Sequence, residues 1–376
     1  MNTSLFRINF FGDFVAPNVE NLILQDAVKE YLHSADFNVI NFEAPIQSKA
    51  NPIYKSGPNI FQDAKAPAWL ENNKFNLISI ANNHLFDYGE EGFKQTIQSF
   101  TSAKLIGAGT WEEAYKPCIL TINSKKIAII SLTHCEFGTL TDIYDKRFSK
   151  GCAWINHPYV DKLITETRKG VDFLILLSHA GMEEIEQPLP EWRDRYRAFI
   201  DLGCDAVIAS HPHIPQGWEY YKEKLICYSL GNFYFPINDK NIPSWWFKSL
   251  SISIEFNEDG QIHSQIHSLI FKNSEISFDN SSETQHYLQR VNKILIDSNS
   301  YINYINEQCL KHLPDYYNLF SASGFIPSSL KSLIRESIGL ILKRRSYNQT
   351  HLLNNLRCES HRWVISRGIK LLNNIQ

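Results

Sequence analysis

Asp205-Ala206-Val207-Ile208-Ala209-Ser210-His211-Pro212-His213 joins a short apolar run to a pair of imidazoles. The run is strand-sized and led by a polar residue, so it reads as a buried β-strand with the histidines at its carboxyl end. Proline disfavours the helical region for the residue before it, so His211 is expected to be extended. In extended chain, residues two apart point the same way, and both rings are therefore expected to face one site. A chance His-Pro-His in a turn is the competing reading; the apolar run ahead of it favours ligation.

The same arrangement recurs four times upstream. Asp13 follows Arg7-Ile8-Asn9-Phe10-Phe11-Gly12, and Glu43 follows Val39-Ile40-Asn41-Phe42. Asn83 and His84 follow the run 75–80 and the pair Ala81-Asn82, and His179 follows the run 171–178. Taken singly, an Asp after a strand is an ordinary turn residue and a lone His a packed one. If the runs are parallel strands, however, all five polar ends share the carboxyl edge where open α/β sheets bind ligands. A carboxylate pair, an amide and several imidazoles at one edge describe a metal site, and metal chemistry is the first hypothesis. Asp87, three residues beyond His84, is placed to hold that ring in one tautomer. It is equally placed to cap the helix opening near Gly89, and the two readings are compatible.

Strand-like runs lie near 5–11, 37–42, 75–80, 118–122, 125–132, 171–178, 205–210 and 225–229. Helical stretches near 19–32, 66–72, 89–102, 111–115, 157–169 and 190–202 separate them, implying β-α units and a covered sheet. Residues 248–256 and 261–271 alternate at period two around Asn257-Glu258-Asp259-Gly260, a hairpin pattern. The fold class is α/β or α+β with a two-sheet core. After about residue 273 the texture turns Asn/Ser-rich and then helical, near 283–312, 328–345 and 349–374, giving a division into 1–272 and a helical extension 273–376. From Lys331 onward nine basic residues stand against Glu336 and Glu359. That tail is a solvated face or a contact for a membrane surface or anionic polymer.

Composition narrows the class. With 376 residues, 43% hydrophobic and 20% charged, the chain is of ordinary globular type. A net charge of −3 argues against nucleic-acid binding through charge alone. No stretch resembles a signal peptide, and none reaches the roughly 18 apolar residues of a membrane span. Seven scattered cysteines without a C-x-x-C pair fit a reducing cytoplasm. His134 follows the run 127–132 towards the same edge, but a structural role is preferred for it. Trp245-Trp246-Phe247 reads as core or rim, and Gly107-Ala108-Gly109 is too short for a nucleotide loop.

Together, several ordered motifs carry a resemblance. They are Gly12-Asp13, Asn41-Phe42-Glu43-Ala44-Pro45, Asn82-Asn83-His84-Leu85-Phe86-Asp87-Tyr88-Gly89, His179-Ala180-Gly181, His211-Pro212-His213 with Gln216, and Ser229-Leu230-Gly231-Asn232-Phe233. Over roughly residues 5 to 270 the chain resembles the CapA-type poly-γ-glutamate capsule biosynthesis proteins, a branch that looks like the calcineurin-like metallophosphoesterases. The resemblance implies a four-layer α-β-β-α sandwich with a two-metal centre at the strand ends. It implies Asp13 and His213 on one metal, Asn83, His179 and His211 on the other, and Glu43 bridging. His84 would be the catalytic acid or oxyanion stabiliser, steadied by Asp87. The two divalent transition metals would be Mn, Fe or Zn. Two departures stand out: Ala180 replaces the usual Trp, implying a wider pocket, and Val15 stands where phosphoesterases place a His two residues after the first Asp, implying that the first metal is bound with fewer ligands or more weakly.

The leading expectation is a cytoplasmic dimetal hydrolase of phosphoester type acting on a small molecule or an anionic polymer. The alternative is a non-catalytic accessory factor in synthesis or export of an anionic capsule polymer.

Overall fold

Alternating apolar positions build two β-sheets that face each other across a shared core. In the computed structural model, residues 4–142, 144, 149–238, 241–257, 262–317, 330, 331, 334 and 345–373 are described. The first sheet runs Ile23–Leu24, Glu275–Phe278, Ile262–Lys272, Lys248–Asn257, Ser4–Phe14, Phe37–Phe42, Leu77–Ser79, Lys104–Ile106. Its last four strands are parallel, whereas Lys248–Asn257 pairs antiparallel with Ser4–Phe14. The second sheet runs Trp218–Tyr221, Lys224–Cys227, Ala206–Ser210, Phe173–His179, Lys125–Thr133, Cys118–Ile122, with four parallel strands between antiparallel edges. A small third sheet joins Ala108–Gly109, Gly151–Ala153 and Thr139–Leu140.

Side-chain alternation decides the layers. Phe6, Ile8 and Phe10 meet Ile175, Leu177 and Ile208 between the sheets. On the outer face of the first sheet, Phe11 and Phe14 pack with helix residues Val28, Leu32, Leu70 and Phe93. On the outer face of the second, Leu174 and Leu176 pack with Val160, Ile164, Trp192 and Phe199. The result is a four-layer α-β-β-α sandwich. Every residue of Phe173–His179 and Ala206–Ser210 is buried, which is why both read as unbroken apolar runs.

Some boundaries differ from expectation. The helix expected over 19–32 begins only at Asp26, because Ile23 and Leu24 pair with Glu275 and Ile276. The stretch 283–312 is two helices, Ser282–Ile296 and Ser298–Tyr317, parted at Asp297 where ψ turns to 105°. The stretch 349–374 is likewise two, Arg345–Arg357 and Glu359–Asn373. Most of the helix expected over 328–345, with Arg335, Lys343 and Arg344 of the basic tail, lies outside the described residues, as do Glu258-Asp259-Gly260 of the hairpin turn. Helical residues beyond 273 enter the cores: Tyr287, Leu288 and Val291 between the sheets, and Tyr301, Ile305, Cys309 and Val364 on the outer face. Trp245 stacks on Tyr287 at 3.8 Å and Trp246 is buried, as core or rim residues would be. Among the described residues, no helix is long and apolar enough to cross a membrane.

Candidate metal centre

Strand ends from both sheets deliver the polar residues to one place. Between Phe10 and Asp13 the register against Phe37–Phe42 shifts, so the Ser4–Phe14 strand bulges just before Asp13. Gly12 makes that bulge fit. A Cβ there would lie 1.8 Å from the Gly231 carbonyl oxygen, the same oxygen that accepts from Asp13 N–H at 3.0 Å. Glu43 follows its strand directly, its N–H donating to Phe14 O at 3.1 Å. Asn82 Oδ1 accepts from His84 N–H at 3.2 Å and Leu85 N–H at 2.9 Å, folding a tight turn that presents Asn83 and His84.

His211 is not extended. It sits at φ +99° and His213 at φ +62°, both in territory that non-glycine residues rarely hold. The strand ends at Ser210, and His211 N–H turns to donate to Asp13 Oδ2 at 3.0 Å instead of joining a ladder. The rings still converge, with centroids 5.7 Å apart, but by strained turns rather than by strand alternation.

The distances draw all six residues into one cluster. His179 Nδ1 lies 3.5 Å from Asp13 Oδ1, and its Nε2 lies 3.4 Å from Glu43 Oε1, 3.0 Å from Asn83 Oδ1 and 3.2 Å from His211 Nδ1. His213 reaches Asp13 at 3.6 Å and Glu43 at 3.7 Å. One donor atom each from Asp13, Glu43 and His213 lie within 4.8 Å of one another; so do those of Glu43, His179 and His211. Glu43 belongs to both triplets.

The donor chemistry fits cations at this position. Glu43 is fully buried, and neither carboxylate oxygen has a hydrogen-bond partner. Such an orphaned acid is costly unless something positive meets it. Burial and neighbouring Asp13 push its carboxyl up to about 8. Burial also pushes on Asp13, but His179, His213 and Asn41 outweigh it and bring that group down to about 2. Burial opposes charge on His179, yet Glu43 and Asp13 raise it to about 10. Burial holds His213 down to about 4 and His211 well below its ordinary range, the neutral form that ligates. His213 Nδ1 meets Asn232 Oδ1 at 3.0 Å, which fixes the ring as an outer partner does for a ligand.

His84 lies beside the cluster, its Nδ1 2.7 Å from Asp87 Oδ2. Asp87 does not cap the helix Gly89–Ser99, which starts at Tyr88 without a side-chain cap; its carboxylate accepts instead from Ile60 N–H at 2.8 Å and from Lys55. Lys55 is buried and also 3.1 Å from His84 Nδ1. Sequence reading missed it, since a single Lys in the Pro/Gly loop 52–58 carries no periodic signal. Asn41 and Asn232 appeared within the quoted motifs, but their partners, Asp13 and His213, show only in three dimensions. His134 and Glu136 also border the cluster, with the His134 and His211 ring centroids 4.3 Å apart.

Residues 18–237 match the model of a family described as bacterial capsule synthesis protein PGA_cap. The chain belongs to this family. The matched span covers every cluster residue except Asp13. The capsule biosynthesis protein CapA of Bacillus anthracis is 30% identical over 218 residues, covering 55% of this chain and 52% of that protein. The PGA biosynthesis protein CapA of Bacillus subtilis (strain 168) is 30% identical over 247 residues, covering 60% and 62%. This PGA_cap chain thus spans between about half and two thirds of the length of those curated relatives. Among solved structures, a 5'-nucleotidase from Candida albicans SC5314 aligns with a TM-score of 0.41 and 10% identity over 82% of this chain and 59% of that one.

Proposed function

We propose that this PGA_cap chain is a metal-dependent hydrolase of phosphoester type, serving capsule metabolism. The observation that carries the reading is Glu43, orphaned and buried between two donor triplets that share it. Asp13 and His213 would hold one divalent cation, and Asn83, His179 and His211 the other, with Glu43 between them. Mixed oxygen and nitrogen donors without sulfur suit Mn, Fe or Zn. When bound, such a pair activates water and neutralises charge on attacking and leaving oxygens.

The chain's own groups supply the proton. Asp87 engages His84 at Nδ1, which leaves Nε2 for a leaving oxygen. Burial and Lys55 hold the ring below its ordinary range while Asp87 pulls the other way, favouring release of a proton once it is bound. Asn82, Asn41 and Asn232 orient their neighbours through the hydrogen bonds already described. The seven cysteines, all unpaired, support a cytoplasmic setting.

Replacing His84 by Ala tests this. Metal content should stay at the wild-type level while turnover of p-nitrophenyl phosphate or a phosphodiester falls by about 10²–10⁴-fold. The family description favours one rival, an accessory factor handling an anionic capsule polymer. That rival prevails if the metal-loaded wild type turns over no ester, diester or γ-glutamyl amide.

A further inference from the structure

Just outside the centre, a second knot of side chains contains sulfur. His134 follows the Lys125–Thr133 strand, Glu136 lies two residues on, and Cys358 sits between the two last helices, Arg345–Arg357 and Glu359–Asn373. One donor atom from each lies within 4.8 Å of the others. His134 and Cys358 are fully buried. His134 Nε2 has no hydrogen-bond partner and lies 3.6 Å from Glu136 Oε1, while its Nδ1 is 4.0 Å from Cys358 Sγ. A buried imidazole with an unpartnered nitrogen facing a carboxylate and its other nitrogen beside a thiol has polar capacity left unfilled.

We propose that His134, Glu136 and Cys358 form a third metal site, which takes zinc and fastens the last helix to the edge of the metal centre. The inference does not rest on the hydrolase reading. Imidazole, carboxylate and one thiolate are a borderline-soft set that zinc accepts, with three protein ligands and a fourth position for water. Binding would release the Cys358 thiol proton to solvent, with no redox change.

The frame is held without the ion. Cys135 N–H donates to Glu359 Oε2 at 2.9 Å, and Arg357 Nη1 donates to the Glu136 carbonyl at 3.4 Å. Trp154 Nε1 and Asn156 Nδ2 donate to the other oxygen of Glu359, at 2.6 and 3.1 Å. The cluster therefore comes preorganised from segments 224 residues apart in sequence. It also borders the centre directly, since Asn83 Nδ2 donates to Glu136 Oε2 at 3.3 Å and the His134 ring abuts His211. An ion here would fix the backing of two residues already assigned to the second cation.

Cobalt(II) substitution of the full chain tests the site, because the main centre contains no sulfur. A near-ultraviolet thiolate-to-cobalt charge-transfer band should appear in the wild type and vanish in Cys358→Ser. It should persist in Cys118→Ser and in Glu43→Gln. Zinc-loaded, dialysed wild type should retain about one equivalent more than Cys358→Ser, with sulfur in the zinc shell at about 2.3 Å by X-ray absorption. Absence of the band from the wild type, or its survival in Cys358→Ser together with equal zinc contents, overturns the proposal. The arms separate the two readings: a missing main centre leaves the thiolate band in place, whereas a missing third site leaves the hydrolase test untouched.

Discussion

Glu43 is a buried carboxyl group with no hydrogen-bond donor, lying between His179 and His213. Ionising such a group where it lies costs several kcal/mol unless a cation meets it, so it is expected to take up its charge together with the metal. Substituting Glu43 by Gln keeps the volume and removes the charge. In chelator the variant and the wild type should unfold within about 1 kcal/mol of each other, because Glu43 is held largely protonated there. Adding Mn²⁺, which a thiolate site disfavours, should raise the wild-type Tm and leave the variant nearly unmoved, as ligand binding to the folded state alone requires. Equal stabilisation of both by metal would show that the cations bind elsewhere.

At the scale of elements, the strands were the most legible part. Phe173–His179 and Ala206–Ser210 are buried on both faces, so their apolar runs were unambiguous, and position alone singled out the residues at their ends that the fold brings together. How the His-Pro-His turn brings its rings together was not legible, because the turn is set by a bond from His211 N–H to an Asp 198 residues away. Lys55 and Glu359 stayed hidden for the same reason: each owes its importance to partners distant in sequence. Helix ends were legible where chemistry marks them, as at Pro190 and at Gly203 with φ +121°, and not at the Ile23–Leu24 pairing, which depends on a strand some 250 residues later.

The helix Pro190–Leu202 makes a testable contact with the strand Trp218–Tyr221. Glu219 accepts from Arg193 at 2.8 Å, from Arg197 at 2.7 and 2.8 Å, and from Tyr228 at 2.7 Å. Burial works against its charge, but these donors prevail and hold its carboxyl down to about 2, below the ordinary 4.5. A lowered folded value means the stabilisation is complete above about 4.5 and is lost as the pH falls towards about 2. Glu219→Gln should therefore cost on the order of 2 kcal/mol at neutral pH in urea unfolding and flatten the acid limb of the stability curve over that window. An unchanged acid limb would remove Glu219 from the account.

At the scale of the whole molecule, the C-terminal helices pack against the layers beside the site. The last helix contributes Val364 to the outer core, and Ser360 Oγ accepts from Trp192 Nε1 at 2.9 Å. Sequence texture suggested an appendage packed on the main domain, since composition changes near 273 and the tail is basic; which residues make that packing is not carried by texture. Removing residues 345–376 should leave Trp154 Nε1, Trp192 Nε1 and the Cys135 N–H without their acceptors on Glu359 and Ser360. Loss of cooperative thermal unfolding is the expected result, and a truncated protein that unfolds cooperatively and binds metal as the full chain does would return those helices to the status of an addition.

Anomalous diffraction at the metal absorption edge, on crystals of the full chain loaded with Mn²⁺ or Zn²⁺, bears most directly on the centre. Two peaks should flank Glu43, one against Asp13 and His213, the other against Asn83, His179 and His211. A map with no peak among those six side chains, in crystals that carry metal elsewhere, would contradict it.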